Sequence, residues 1–200
     1  MAQVLKQMVR ESIKQAALKC FAHQGYRGTP MAAIAAAAGT APANVYRYFD
    51  SKAALFDAVV PKDLPKRHDR LLETRVSALA SQSAERSTAA AELLDFWVDN
   101  RLAVVILLDR AAGTPHADYP ARFVRRLVKD AERTLPRPPS PAHREVLGLV
   151  FDNTRRALAE MLRSADDRDH TRALIEAFWS YQLPGLAGLM AFIEGGDGQS

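Results

Sequence analysis

The sequence predicts an all-helical chain, with an N-terminal three-helix helix-turn-helix domain joined to a larger helical domain. Three observations predict it. Apolar residues recur at the spacing of a helix along the whole chain. No Asn-Gly or Asp-Gly turn separates runs of alternating polarity, so hairpins are not signalled. Glycines and prolines cut the first third into short pieces, at Gly25, Pro30, Gly39 and Pro42.

At 200 residues and 22.0 kDa, the chain is long enough to bury a substantial core. The uncharged apolar run Leu102 to Leu108 is far short of the roughly 20 residues that span a bilayer. No basic stretch followed by a long apolar run opens the sequence, so a secretory leader is not expected, and the single Cys20 excludes an internal disulfide or a cysteine-based zinc cluster. A reducing, cytoplasmic setting is expected, with no membrane partner. The net charge of +4 is unevenly placed. Residues 1–60 hold seven basic and three acidic side chains, whereas residues 61–200 hold 20 of each. A basic module beside a neutral one points the first toward a polyanion.

Taken in order, Val9, Ile13, Ala16, Ala17, Cys20 and Phe21 form one stripe of a first helix, which Gly25 ends. Thr29-Pro30 reads as an N-cap followed by a proline at the first helical position. The alanine-rich second helix runs to Ala38 and stops at Gly39. Pro42 starts a third, Pro42 to Phe49, and Ser51 caps a fourth from Lys52. Two short helices joined by a glycine turn make a helix-turn-helix, whose second member fits the DNA major groove. The alanines at 32, 33 and 35–38 let the two helices approach closely.

The stretch Ile13 to Leu55 resembles the DNA-binding domain of the TetR family of transcriptional regulators. The resemblance is carried by Ile13, Phe21, Gly25, Thr29, Ile34-Ala35, Ala38-Gly39, Tyr46, Tyr48-Phe49, Lys52 and Leu55, in register without a gap. It covers about a quarter of the chain. It implies a homodimeric regulator with residues 1–55 on DNA and residues 56–200 binding ligand and partner subunit. Ala41 and Ala43 depart from the family's usual serine and glycine, costing a capping hydroxyl and some room at the backbone.

Thr29 is expected to cap a helix and face a phosphate. Tyr46 and Tyr48 are expected on the DNA backbone, with packing into the domain the competing reading for Tyr48. Val45 and Phe49 are assigned to the core. Lys52, in the first turn of its helix, opposes the dipole unless a phosphate sits between. Base reading falls to Thr40, Ala41, Ala43, Asn44 and Arg47: Asn pairs with adenine, Arg with guanine, and small apolar groups meet thymine methyls.

Further helices are expected at Lys66 to Leu79, Thr88 to Asn100, Arg101 to Ala111 and Ala117 to Leu135, with a polar break at Ser81–Ser83. Pro61 and Pro65 interrupt the chain just after the fourth helix, and Pro136, Pro138, Pro139 and Pro141 form a linker. Two long helices close the chain, Ala142 to Ser164 and Asp169 to Glu194, the second kinked at Pro184-Gly185 and fraying from Gly195. Both are apolar on more than one face, which predicts a homodimer through a four-helix interface. Phe96, Trp97, Tyr119, Phe123, Asn153 and Trp179 are candidate contacts to a small, largely apolar effector, against the plainer reading that they are core. An activator or a ligand-independent regulator has the same sequence signature.

An enzyme or a protein-interaction module is the contrasting reading. The five histidines (His23, His68, His116, His143, His170) are scattered, His116-Ala117-Asp118 sits in a turn, and Cys20 lies on a core stripe. No phosphate loop, nucleophile elbow or metal-ligand spacing is present, so no catalytic residue, metal or cofactor is assigned.

Overall fold

Helical spacing of apolar residues becomes ten helices among the residues described by the computed structural model, which are 2–81, 86–165 and 167–196. In chain order these are α1 (Ala2–Gly28), α2 (Met31–Ala37), α3 (Pro42–Tyr48), α4 (Lys52–Val59) and α5 (Leu64–Ser81). The remainder are α6 (Arg86–Asp99), α7 (Arg101–Asp109), α8 (Tyr119–Thr134), α9 (Pro141–Ser164) and α10 (Arg168–Gly196). The break expected at Ser81–Ser83 runs into residues 82–85, and most of the expected frayed end is 197–200; both lie outside the described residues.

Local chemistry sets the boundaries of the first four helices. Gly25 interrupts α1 with φ 75° and ψ 162°, a conformation open to glycine, and the chain then turns toward α2. At the end of α2 the amide of Gly39 donates to the Ala36 carbonyl, and that of Thr40 to the Ala35 carbonyl. With Gly39 at φ 67°, this is a Schellman stop. α3 has no side-chain cap; Ala41 precedes it and Pro42 supplies the fixed φ of a first helical residue. Ser51 caps α4 by accepting from the Ala54 amide at 3.0 Å.

α7 is the buried axis of the rest. Its residues Ala103 to Leu108 are all buried, and it packs against α1, α6, α8 and α9. Each such Val, Leu or Ile contributes about 1.5–3 kcal/mol on leaving water, so this uniformly apolar helix belongs inside. One continuous core runs from Ile13 on α1 through α4 and α7 to Leu162 on α9 and Ile175 on α10. A smaller cluster of Leu135, Leu147, Phe151 and Ile193 joins the end of α8 to α9 and α10. Polar ties cross these layers. Buried Arg155 on α9 donates to the Leu108 carbonyl at 2.7 Å and pairs with Asp109 at 3.3 Å.

Several expected boundaries move. α5 begins at Leu64 with Pro65 in its first turn, where proline lacks only an amide that had no helical partner. α8 begins at Tyr119, because Thr114 holds a turn by donating to the Ala111 carbonyl and accepting from the His116 amide. Pro141 belongs to α9, capped by Ser140, so the proline-rich linker is shorter than expected. α10 stays helical through Pro184, which is exposed.

Candidate nucleic-acid interface

α3 reaches the surface with its apolar side anchored and its polar side free. Val45 and Phe49 are buried in the core with Ile34, Leu55 and Phe21, as their assignment to the core expected. That anchorage turns Ala41, Ala43, Tyr46 and Arg47 outward, and Tyr46 is 51% exposed. Thr40 and Asn44 are half-buried and joined, the Asn44 amide donating to the Thr40 hydroxyl at 2.7 Å. This bond fixes the orientation of a side chain able to read a base edge. Tyr48 is half-buried and packs against the core, with the Arg47 guanidinium 5.4 Å from its ring centre.

Two residues expected at phosphates make bonds within the domain. Thr29 does not cap α2; the residue before that helix is Pro30, with no side-chain cap. Thr29 is instead fully buried, its hydroxyl shared between the carbonyls of Gly25 at 2.7 Å and Cys20 at 3.2 Å. Both oxygens lie where α1 breaks at Gly25, and the hydroxyl turns inward to donate to them. Lys52 behaves similarly. Its ammonium donates to the carbonyls of Tyr26 at 2.8 Å and Thr29 at 3.1 Å and lies 4.4 Å from the centre of the Tyr26 ring. The charge that opposes the α4 dipole is thus held by carbonyls at the end of α1, and Lys52 ties α4 to the α1–α2 turn.

The aromatic candidates for effector contact converge on a residue that sequence reasoning missed. His68, on α5, is fully buried between Phe96 and Phe123, both stacked at 5.8 Å. The Trp97 indole N–H donates to His68 Nε2 at 2.9 Å, so that nitrogen is an acceptor and the proton sits on Nδ1. Nδ1 then donates to the Tyr119 hydroxyl at 2.7 Å, which donates to Asp69 Oδ1 at 2.7 Å. Burial, with a smaller contribution from the Arg126 charge, pushes His68 down to about 3 and keeps it neutral. Burial and the Asp69 carboxylate push the Tyr119 phenol up. Leu64 and Leu72, one turn to either side of His68, are the signal that marks it as a core position.

Trp179 is half-buried on α10, 5.8 Å from the Trp97 ring, at the margin of this cluster. Asn153 is corrected: it is exposed on α9, on the side that also exposes Val146 and Leu149, away from the aromatic cluster. Its spacing from those neighbours places it outside because α9 turns Leu147, Phe151 and Leu158 inward.

Residues 13–59 match the family model described as bacterial regulatory proteins, tetR family. No curated protein matches the chain. Among solved structures, a Rhodococcus sp. protein assigned to the TetR-family transcriptional regulators is similar at 21% identity and a TM-score of 0.41, over 91% of this chain and 98% of that one. NalD, the secondary repressor of the MexAB-OprM multidrug efflux pump in Pseudomonas aeruginosa, is similar at 20% identity and a TM-score of 0.36, over 87% and 95%. The family match thus covers the segment that holds the helix-turn-helix of α2 and α3, and over that segment the chain is similar to the bacterial regulatory proteins of the tetR family.

Proposed function

We propose that the chain is a transcriptional repressor that binds a near-palindromic operator as a homodimer and is released by a small, largely apolar ligand. Residues 1–55 form the DNA-binding domain in this reading, and residues 56–200 bind ligand and partner subunit. The observation that carries it is the outward face of α3: Tyr46 and Arg47 exposed, and Asn44 oriented by Thr40, on a helix whose other side is locked into the core. Such a face reads base edges while the surrounding positive charge meets phosphates.

Dimerisation is supported by apolar side chains that α9 and α10 leave in solvent, among them Leu149 at 61%, Tyr181 at 76% and Phe192 at 66% exposure. No charged residue occurs between Glu176 and Glu194 on α10. A second copy covering this surface sets two recognition helices about 34 Å apart, one turn of duplex. Effector binding is supported by the ring cluster of Phe96, Trp97, Tyr119, Phe123 and Trp179. Those rings are in mutual or His68-mediated contact, so a ligand entering there selects a conformation in which they part. That difference between states is what release from DNA requires.

Selection of bound sites from a random duplex library, followed by titration of the winner at several salt concentrations, tests the reading. A two-fold symmetric consensus with steeply salt-dependent affinity is expected. Failure to enrich any site overturns it. Transcription from a promoter bearing that site separates repression, with output falling as protein rises, from activation.

A further inference from the structure

Beside the recognition helix lies a basic groove that the base-reading face of α3 leaves unexplained. It is an open trough of about 870 Å³ between the N-terminal half of α1 and the α3–α4 side of the domain. Gln3, Lys6, Gln7, Arg10 and Lys14 of α1 line it, facing Tyr48. These positions recur every three or four residues, so they occupy one face of α1. Lys14 is neutralised in place, its ammonium held by both oxygens of Glu11 at 3.1 and 3.0 Å. Lys6 and Arg10 have no carboxylate partner among the described residues. Arg10 is nonetheless positioned, its guanidinium 5.3 Å from the centre of the Phe49 ring at the end of α3.

We infer that this groove is a second phosphate-binding surface, and that Lys6 and Arg10 carry the duplex backbone past the end of the recognition helix. The inference rests on the proposed DNA-binding function and adds contacts to it. Continuity argues for the same duplex as occupant: the Arg47 side chain on the base-reading face touches the Tyr48 ring, and Tyr48 lines the groove. Arg10 is seated on Phe49, the next residue, so the cations on α1 extend the charged row begun on α3. Two glutamines among them add amide donors that suit phosphate oxygens, which only accept.

The test is the salt dependence of binding by the full chain to a mixed-sequence duplex, where phosphate contacts alone operate. Each lost phosphate contact flattens the plot of log affinity against log salt by about 0.9. The double variant Lys6→Gln with Arg10→Gln is expected to bind every duplex more weakly and to flatten the slope by about two. Its preference among base sequences stays that of the wild type. Lys6→Gln alone, remote from the core, is expected to flatten it by about one with an unchanged thermal melt. Lys6→Arg with Arg10→Lys restores the wild-type slope. A wild-type protein that binds duplex, with both glutamine variants retaining its slope, overturns the inference and leaves the recognition helix in place. A wild-type protein that binds no duplex at any salt overturns the DNA-binding function itself, and this inference with it.

Discussion

The Trp97 indole donates to Nε2 of His68 at 2.9 Å, and this bond sets the tautomer of a histidine with no contact to solvent. A directional chain results, from Trp97 on α6 through His68 to Tyr119 on α8 and out to Asp69. Three helices are thereby registered by polar bonds inside an aromatic core. Such a network stabilises only while every member is satisfied.

Acid should expose the histidine. In the folded chain His68 titrates at about 3, below the ordinary value of 6.5, so between these limits the unfolded chain takes up a proton that the folded chain refuses. The stability contributed by neutral His68 is complete above pH 6.5 and is lost as pH falls from there toward 3. The limiting slope is about 1.4 kcal/mol per pH unit. Urea midpoints measured through this range should fall for the wild type and fall less steeply for His68→Gln. Equal slopes would remove His68 as the source.

Tyr119→Phe keeps the ring and deletes only the hydroxyl that His68 and Asp69 share. It leaves the Nδ1–H donor buried without an acceptor, at a cost of about 1–3 kcal/mol. Chemical denaturation measures this directly. A loss below experimental error would show that the pocket repacks or admits water.

Lys52→Met retains the length of the side chain and removes the charge that holds the Tyr26 and Thr29 carbonyls. Hydrogen bonds to charged groups contribute about 1.5–3 kcal/mol, so the thermal midpoint should drop. DNA affinity should fall in step with the population of folded domain. A variant that melts like the wild type but binds DNA more weakly would return Lys52 to the phosphate contacts.

Asn44→Ala and Arg47→Ala should each relax selectivity at one base position, by about 1–3 kcal/mol, with little effect on folding. Tyr46→Ala should weaken binding to all sequences alike, because a half-exposed ring on the surface of α3 supports little of the core. Competition between operator variants separates the two behaviours. Unchanged ranking in the Asn44 and Arg47 variants would mean that a different face is read.

Leu149→Glu with Tyr181→Glu places charges on the exposed apolar surface of α9 and α10. If this surface meets a second copy, light scattering should show a monomer of about half the wild-type mass and helical circular dichroism should persist. A wild type that is already monomeric would refute the proposed interface.

Much of the fold was legible along the chain because helix signals are local. The apolar stripe of α1, the Gly39 stop, the Pro42 start and the Ser51 cap each depend on residues within a turn or two of one another. The same locality made the outward face of α3 readable: once Val45 and Phe49 are placed inside, helix geometry turns Tyr46 and Arg47 outward. Thr29, Lys52 and His68 were decided by partners beyond the reach of a local pattern. The carbonyls around the break at Gly25 accept from the Thr29 hydroxyl and, with the chain folded back, from the Lys52 ammonium. His68 became the centre of a core only when α6 and α8 brought Trp97 and Tyr119 to its two nitrogens, 29 and 51 residues away. Sequence by itself determined where the short helices α2 to α4 begin and end and which of their sides are apolar. Tertiary structure decided which polar groups face solvent and which are consumed inside, because a buried donor or acceptor must find a partner wherever the chain happens to bring one.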